Sequence, residues 1–253
     1  MPPEAIPPVR LVGAGPGPAD LLTLRAVRAI EGAEALLYDA LVGEEVLALA
    51  PQACLKIQTG KRAGRASMKQ ETINRLMARL ARRGLRVVRL KGGDPSVFGR
   101  VGEEQAALRA QGIDCEIVPG VTAACAAAAQ FGAPLTHRGL ARRVVFTTAT
   151  LQDGRIAMDW AAASDPEATL AIYMGSRAAP EIARRLIASG RAPATPLAIV
   201  SNAGRTDARL ARSTLAETAA GAAPDTDGGP ALILVGDVLA LAAAAATPLA
   251  GAA

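Results

Sequence analysis

Apolar positions along the chain follow two alternating rhythms. Short apolar runs read as buried strands, and longer stretches repeat an apolar residue every three to four positions, the spacing of one helix face. In the first half VRLVGAG (9–15) is a strand entering a glycine turn, and DLLTLRAVRAIEGA (20–33) is an amphipathic helix. EALLYD (34–39) is a second strand, GEEVLALA (43–50) a short helix and CLKIQTG (54–60) a third strand. QETINRLMARLARRG (70–84) is a strong helix, with Ile73, Leu76, Met77 and Leu80 on one face and Gly84 as its C-cap. RVVRLKGG (86–93) is a fourth strand with charged ends, GEEQAALRAQG (102–112) a helix and DCEIVPG (114–120) a fifth strand.

After VPGVTAACAAAAQFGAPLTHRG (118–139) the pattern restarts with less helix per strand, which puts a break near residues 119 to 135. RVVFTTA (143–149), ATLAIYMG (168–175), PLAIVSNAG (196–204) and PALILVGDV (230–238) read as strands, and APEIARRLIASG (179–190) as a helix. The apolar end, VLALAAAAATPLAGAA (238–253), reads as a last helix and a frayed terminus. The expectation is an α/β protein of two α/β domains, 9–118 and 119–243, with 1–8 and 244–253 as flexible tails.

Composition narrows the chemistry. Hydrophobic residues make up 51% of the chain and charged ones 20%, enough for folded cores, while aromatics are only 2%. The formal net charge of +5 favours an anionic partner. Nucleic acid is a poor candidate, because two tyrosines and three phenylalanines offer few stacking platforms and the basic residues are scattered over helices. Cys54, Cys115 and Cys125 have no CxxC spacing, which fits a reducing, cytoplasmic compartment rather than a disulfide framework. With His137 the lone histidine, no metal site and no Ser-His-Asp triad are expected. No secretory leader is visible in MPPEAIPP, and no membrane span of about 20 apolar residues occurs.

Two glycine loops carry the candidate site. VGAGPGPADLLTL, at the end of the first strand, occupies the place of a dinucleotide fingerprint, and Asp39 that of its ribose ligand. The spacing does not fit: three residues after Gly15 stands Pro18, Gly17 comes one residue early, and Pro16 has no N–H to offer a phosphate. There is no Gly-Lys-Ser/Thr either. In LKGGDP, Gly92 and Gly93 clear side chains from a turn at a strand's carboxyl end, and Asp94 leaves a carboxylate at the rim. Main-chain groups with a carboxylate suit amines, hydroxyls or positive charge better than phosphate.

The ordered set VGAGPG…LLTL, YDALV, GKRAG, QETIN, VVRLKGGDPSVFGRVGEE, VPGVTAA, PLTHRGLA, YMG and PALILVG, across about residues 9 to 240, resembles the tetrapyrrole methylases. Within them it is most similar to the uroporphyrinogen-III C-methyltransferases, by GKRAG together with LKGGDPxxFGRxGEE and PLTHR. The resemblance implies two α/β domains with S-adenosylmethionine in the cleft between them, a homodimer, and two methylations of uroporphyrinogen III, at C2 and C7. The products are precorrin-1, then precorrin-2 for cobalamin, sirohaem or haem d1, with S-adenosylhomocysteine released. The substrate is an anionic tetrapyrrole; neither membrane nor nucleic acid is a partner.

By the same resemblance the cofactor contacts are Pro16, Gly92, Gly93, Asp94, Val97, Thr122, Ala123, Met174, Ala203 and Ala231. Asp39 matches a proton acceptor, Lys61 a proton donor and Arg100 a residue for substrate handling; Glu103, one helical turn on, is placed to orient Arg100. Our reading of the residues favours a carboxylate-anchoring role for Lys61 over that of an acid and gives His137 structural hydrogen bonds. The chain departs from the family pattern at Pro18, where an aspartate is usual, with an acid at Asp20. It departs again at Val101 for a glycine, in SVFG, and in SNAGRT around Ala203. Residues GKRAG and PLTHR argue against a methylase of later corrin intermediates, and the misplaced third glycine against a nicotinamide enzyme. At 253 residues the chain has no room for an attached dehydrogenase or ferrochelatase domain, so the end pathway is open.

Overall fold

The computed structural model of the chain describes residues 6–60, 68–149, 151–152, 155–221 and 229–242. It divides into two compact units, Met1–Thr122 and Ala123–Ala253.

The first unit alternates β1 (Val9–Gly13), α1 (Leu24–Glu31), β2 (Ala35–Tyr38), α2 (Glu44–Ala48), β3 (Leu55–Gln58), α3 (Gln70–Ala81), β4 (Val87–Lys91), α4 (Val101–Arg109) and β5 (Cys115–Val118). All five strands are parallel, in the order β3-β2-β4-β1-β5. Helices cover both faces. Ala26, Ala29 and Ile30 of α1 with Val46 and Leu47 of α2 pack on Val12, Leu36, Val88 and Leu90. Ile73 and Met77 of α3 with Leu108 of α4 pack on Val9, Leu11, Leu37 and Val87. The connections after the neighbouring strands β1 and β4 therefore leave to opposite faces. That makes the carboxyl ends of these two strands the topological switch point, where open α/β sheets bind ligands.

Period-two alternation decides which side chains meet the helices. On β4, Val88 and Leu90 face α1 and α2, so Val87, Arg89 and Lys91 face α3 and α4. Leu37 pairs in register with Arg89, and Asp39, two residues on, lies on that same face. Sequence parity thus sends two cations into an apolar layer.

The second unit contains α5 (Ala123–Phe131), β6 (Arg143–Thr148), β7 (Leu151–Gln152), β8 (Arg155–Ile156), α6 (Trp160–Ala163), β9 (Ala168–Tyr173), α7 (Ala179–Ala188), β10 (Pro196–Ser201), β11 (Arg209–Thr214), α8 (Leu215–Ala219) and β12 (Ala231–Val235). Its sheet, β11-β10-β12-β9-β6, is parallel only between β6 and β9.

Three sequence expectations need correction. The first helix begins at Leu24, not Asp20, because the Thr23 hydroxyl accepts from Ala26 N (3.2 Å) and caps it; Ala19–Leu21 form a separate 3₁₀ turn. The edge strand β11 and helix α8 were not anticipated, although Thr214 and Glu217 form a reciprocal capping box there. Where a terminal helix was expected, the described residues Asp237–Leu241 are 3₁₀.

Candidate functional site

The two glycine loops are one structure. Gly15 N–H donates to Gly93 O (3.2 Å) and Gly93 N–H donates to Gly15 O (2.7 Å), while Ala14 N–H reaches Lys91 O (2.8 Å). Gly15 and Gly93 both hold φ near +65° (64° and 68°), where a Cβ is strained. A third loop end closes the cradle. A Cβ on Gly13 would lie 2.6 Å from Gly120 N and 2.8 Å from Gly93 O, and one on Gly120 would lie 2.4 Å from Gly93 O. The carboxyl ends of β1, β4 and β5 meet backbone to backbone.

Asp94 does not leave its carboxylate at the rim. Its Oδ1 accepts from Ser96 N (2.7 Å) and its Oδ2 from Gly120 N (3.0 Å), so it braces the cradle. What the loops present there is main chain, from Gly92 and Gly93 beside half-buried Pro16 and Val97.

Arg100 caps the start of α4 in the left-handed region (φ 58°), and Phe98 two residues earlier does the same (φ 53°). Non-glycine residues held there carry strain of about 1–3 kcal/mol each, and such residues cluster at functional sites. The exposed Arg100 guanidinium makes a two-point pair with Glu103: Nε to Oε1 at 2.8 Å and Nη2 to Oε2 at 2.7 Å. Those hydrogen bonds push the guanidinium pKa up and hold the Glu103 carboxyl below its usual range.

Beneath this loop lies a buried charge network that sequence reasoning missed. Glu104 is fully buried, and Arg89 and Lys91 are each 3% exposed. One oxygen, Glu104 Oε1, accepts from Lys91 Nζ (3.0 Å), Gln70 Nε2 (3.1 Å) and Arg89 Nε (3.2 Å). Arg89 donates through Nη2 to Asp39 Oδ1 and through Nη1 to Leu90 O (3.0 Å). Thr59 Oγ1 sits 3.3 Å from Asp39 Oδ1. Burial pushes the Lys91 amine down, and the neighbouring Arg89 charge pushes it further against the pull of Glu104. Asp39 is only partly covered (31% exposed) at the open end of this chain. The signal was present in the sequence: RVVRLK, read in steps of two on a strand buried on both faces, demands a buried anion, and GEE supplies it.

Of the remaining expected site residues, Thr122 is buried and Ala123 opens α5. Met174 follows β9 with φ 57° and 61% exposure, Ala203 is buried and Ala231 opens β12. Asn202, next to Ala203, also has a positive φ (52°). His137 pairs through its backbone with Ala141. Lys61 lies outside the described residues. Among the described residues no group of three His, Cys, Asp or Glu is placed to hold a metal, and no helix is long and apolar enough to cross a membrane.

The first unit is thus a parallel α/β sheet with a glycine cradle at its switch point, and the second is built on a mixed sheet. The chain belongs to the tetrapyrrole methylase family: the family described as Tetrapyrrole (Corrin/Porphyrin) Methylases matches residues 8–219. A uroporphyrin-III C-methyl transferase from Thermus thermophilus, solved in complex with S-adenyl homocysteine, superposes with a TM-score of 0.81 at 43% identity, over 92% of this chain and 99% of that one. A cobalt precorrin-4 methyltransferase of cobalamin biosynthesis superposes at 0.79 with 29% identity, over 91% and 95%. The siroheme synthase of Azotobacter vinelandii is 46% identical over 239 residues, 94% of this chain and 52% of that protein. The chain spans about half the length of the curated relatives it matches.

Proposed function

We propose that the protein is a uroporphyrinogen-III C-methyltransferase, which methylates its substrate twice with S-adenosylmethionine to give precorrin-2. The observation that carries the reading is the main-chain cradle at the switch point. It is built for a ligand recognised by backbone groups, with Pro16 where a phosphate fingerprint needs an N–H. The higher identity to the uroporphyrin-III enzyme than to the precorrin-4 enzyme favours the earlier tetrapyrrole as substrate.

The residues fit the cofactor. Gly92 and Gly93 bring no side chain into the cradle, so main chain can approach amine, hydroxyl and adenine edges there, while the Gly15–Gly93 pair and Asp94 fix the loops that carry it. When bound, the cofactor supplies an electrophilic methyl on a sulfonium. This chain contributes alignment, substrate capture and proton transfer. Arg100 offers a guanidinium fork to the substrate's carboxylates, held in place until then by Glu103. Asp39 accepts the proton that the ring must lose after a carbon gains a methyl. Lys61 is proposed as its proton-donating or carboxylate-anchoring counterpart.

Calorimetry on the purified protein is expected to show binding of S-adenosylmethionine and none of NAD. Incubation with reduced uroporphyrinogen III is expected to yield a product heavier by two methyl groups in mass detection. NAD binding alone, or no methyl transfer with an active control enzyme alongside, overturns the reading.

Replacing Arg100 by alanine is expected to leave cofactor affinity within about threefold and to lower kcat/KM for the tetrapyrrole by about 10- to 100-fold. One or two charged hydrogen bonds, about 1.5–3 kcal/mol each at full strength, are reduced here because the fork is exposed and already paired. A variant with unchanged kcat/KM rejects the clamp.

A further inference from the structure

We propose that Glu104 is the positioning residue of this site, a single buried carboxylate that sets both Asp39 and the Arg100 loop; the inference rests on the methyltransferase reading above. Two routes run from it. Through Arg89, whose Nε meets Glu104 Oε1 and whose Nη2 meets Asp39, it fixes where the Asp39 carboxylate points. Through Lys91 it supports the loop, because the lysine stem runs under Gly99: a Cβ there would lie 3.1 Å from Lys91 Cε and 2.4 Å from Pro95 O. Gly99 sits between the two strained residues Phe98 and Arg100. Glu104 is also on the first turn of α4, its N–H directed at Arg100 O (3.4 Å), so it grips that turn from the helix side as well.

Stability is a poor reason for this arrangement. Desolvating two cations and a carboxylate offsets most of what their attraction returns, and well-packed apolar residues of similar size commonly do as well or better. The network is also incomplete, since Glu104 Oε2 is buried with no hydrogen-bond partner among the described residues. A half-satisfied carboxylate under two loops gives orientation instead. Misplacement of a reacting group by about 1 Å costs on the order of 10²-fold in rate.

The test is a double-mutant cycle of Glu104→Gln and Asp39→Asn, with cofactor affinity, KM and kcat measured for each enzyme and folding checked by urea denaturation. In the wild-type background Glu104→Gln is expected to lower kcat by about 30- to 100-fold while KM and cofactor affinity change less than threefold. In the Asp39→Asn background the same change is expected to cost less than about fivefold, because the Asp39 route no longer acts and only the smaller contribution of the Arg100 loop remains. Should Glu104→Gln not fold, Lys91→Met/Glu104→Gln replaces it in the cycle; that pair removes one charge of each sign and leaves Arg89 balanced by Asp39. Equal losses in both backgrounds, or a kcat within threefold of wild type, overturn the inference alone. A wild-type protein that does not methylate uroporphyrinogen III overturns the functional reading and this inference with it.

Discussion

Asp39→Asn is expected to lower kcat for uroporphyrinogen III methylation by about 10²- to 10⁴-fold, the usual range for loss of a positioned general base. Asparagine keeps the oxygen that accepts from Arg89 and Thr59, so the local hydrogen bonds survive and only basicity is lost. Cofactor affinity and KM for the tetrapyrrole should move less than about threefold, which separates a chemical role from a binding one. Some stability is lost, because Arg89 then has Glu104 as its sole anionic partner among the described residues. Chemical rescue adds a second readout. Asp39→Ala should recover activity in formate, a carboxylate small enough for the space vacated beside Arg89. A kcat within tenfold of wild type, or a loss carried entirely by KM, rejects Asp39 as the proton acceptor.

That prediction rests on a residue the sequence placed well. Asp39 ends a strand, and the strand–helix alternation of the first half left little freedom about where that end falls. The switch point was equally legible, since two glycine-rich turns followed two apolar strands. What could not be seen was the contact between turns. Gly120 sits 27 residues after Gly93 and carries no local mark of the approach to Gly13. The buried network was hidden for a different reason. RVVRL reads as a strand with charged ends under the rule that charge lies outside, yet parity on a doubly covered parallel strand turns Arg89 and Lys91 inward. In the second unit, β11 escaped notice because an edge strand such as RLARST mixes polar and apolar residues, which weakens its signal. The cofactor contacts proposed for Met174, Ala203 and Ala231 rest on the family motifs and not on any local rule of folding.

Gly120→Ala is expected to be among the most damaging single-methyl changes in the first unit. The new Cβ would stand 2.4 Å from Gly93 O, 2.9 Å from Gly13 Cα and 3.0 Å from Gly13 C, all of them backbone that cannot rotate aside. Relief requires the β1, β4 or β5 loop to retreat, which breaks the Asp94–Gly120 bond and loosens the Gly15–Gly93 pair. Overpacking of this kind costs about 1–3 kcal/mol, and the lost hydrogen bond adds about 1 kcal/mol. In a protein of this size that corresponds to a Tm lower by roughly 4–16 °C. Cofactor affinity should fall by more than about 100-fold, because the same backbone is the proposed binding surface. Gly102→Ala is the matched control: a Cβ there meets nothing within 4 Å, and the position is inside α4. Helix propensity favours alanine over glycine by about 1 kcal/mol, so that variant should bind cofactor normally and melt slightly higher. Thermal melts and calorimetric titrations of the two variants side by side decide the matter. If Gly120→Ala melted and bound like Gly102→Ala, the three loop ends would not be in contact, and the cradle could not be what holds the ligand.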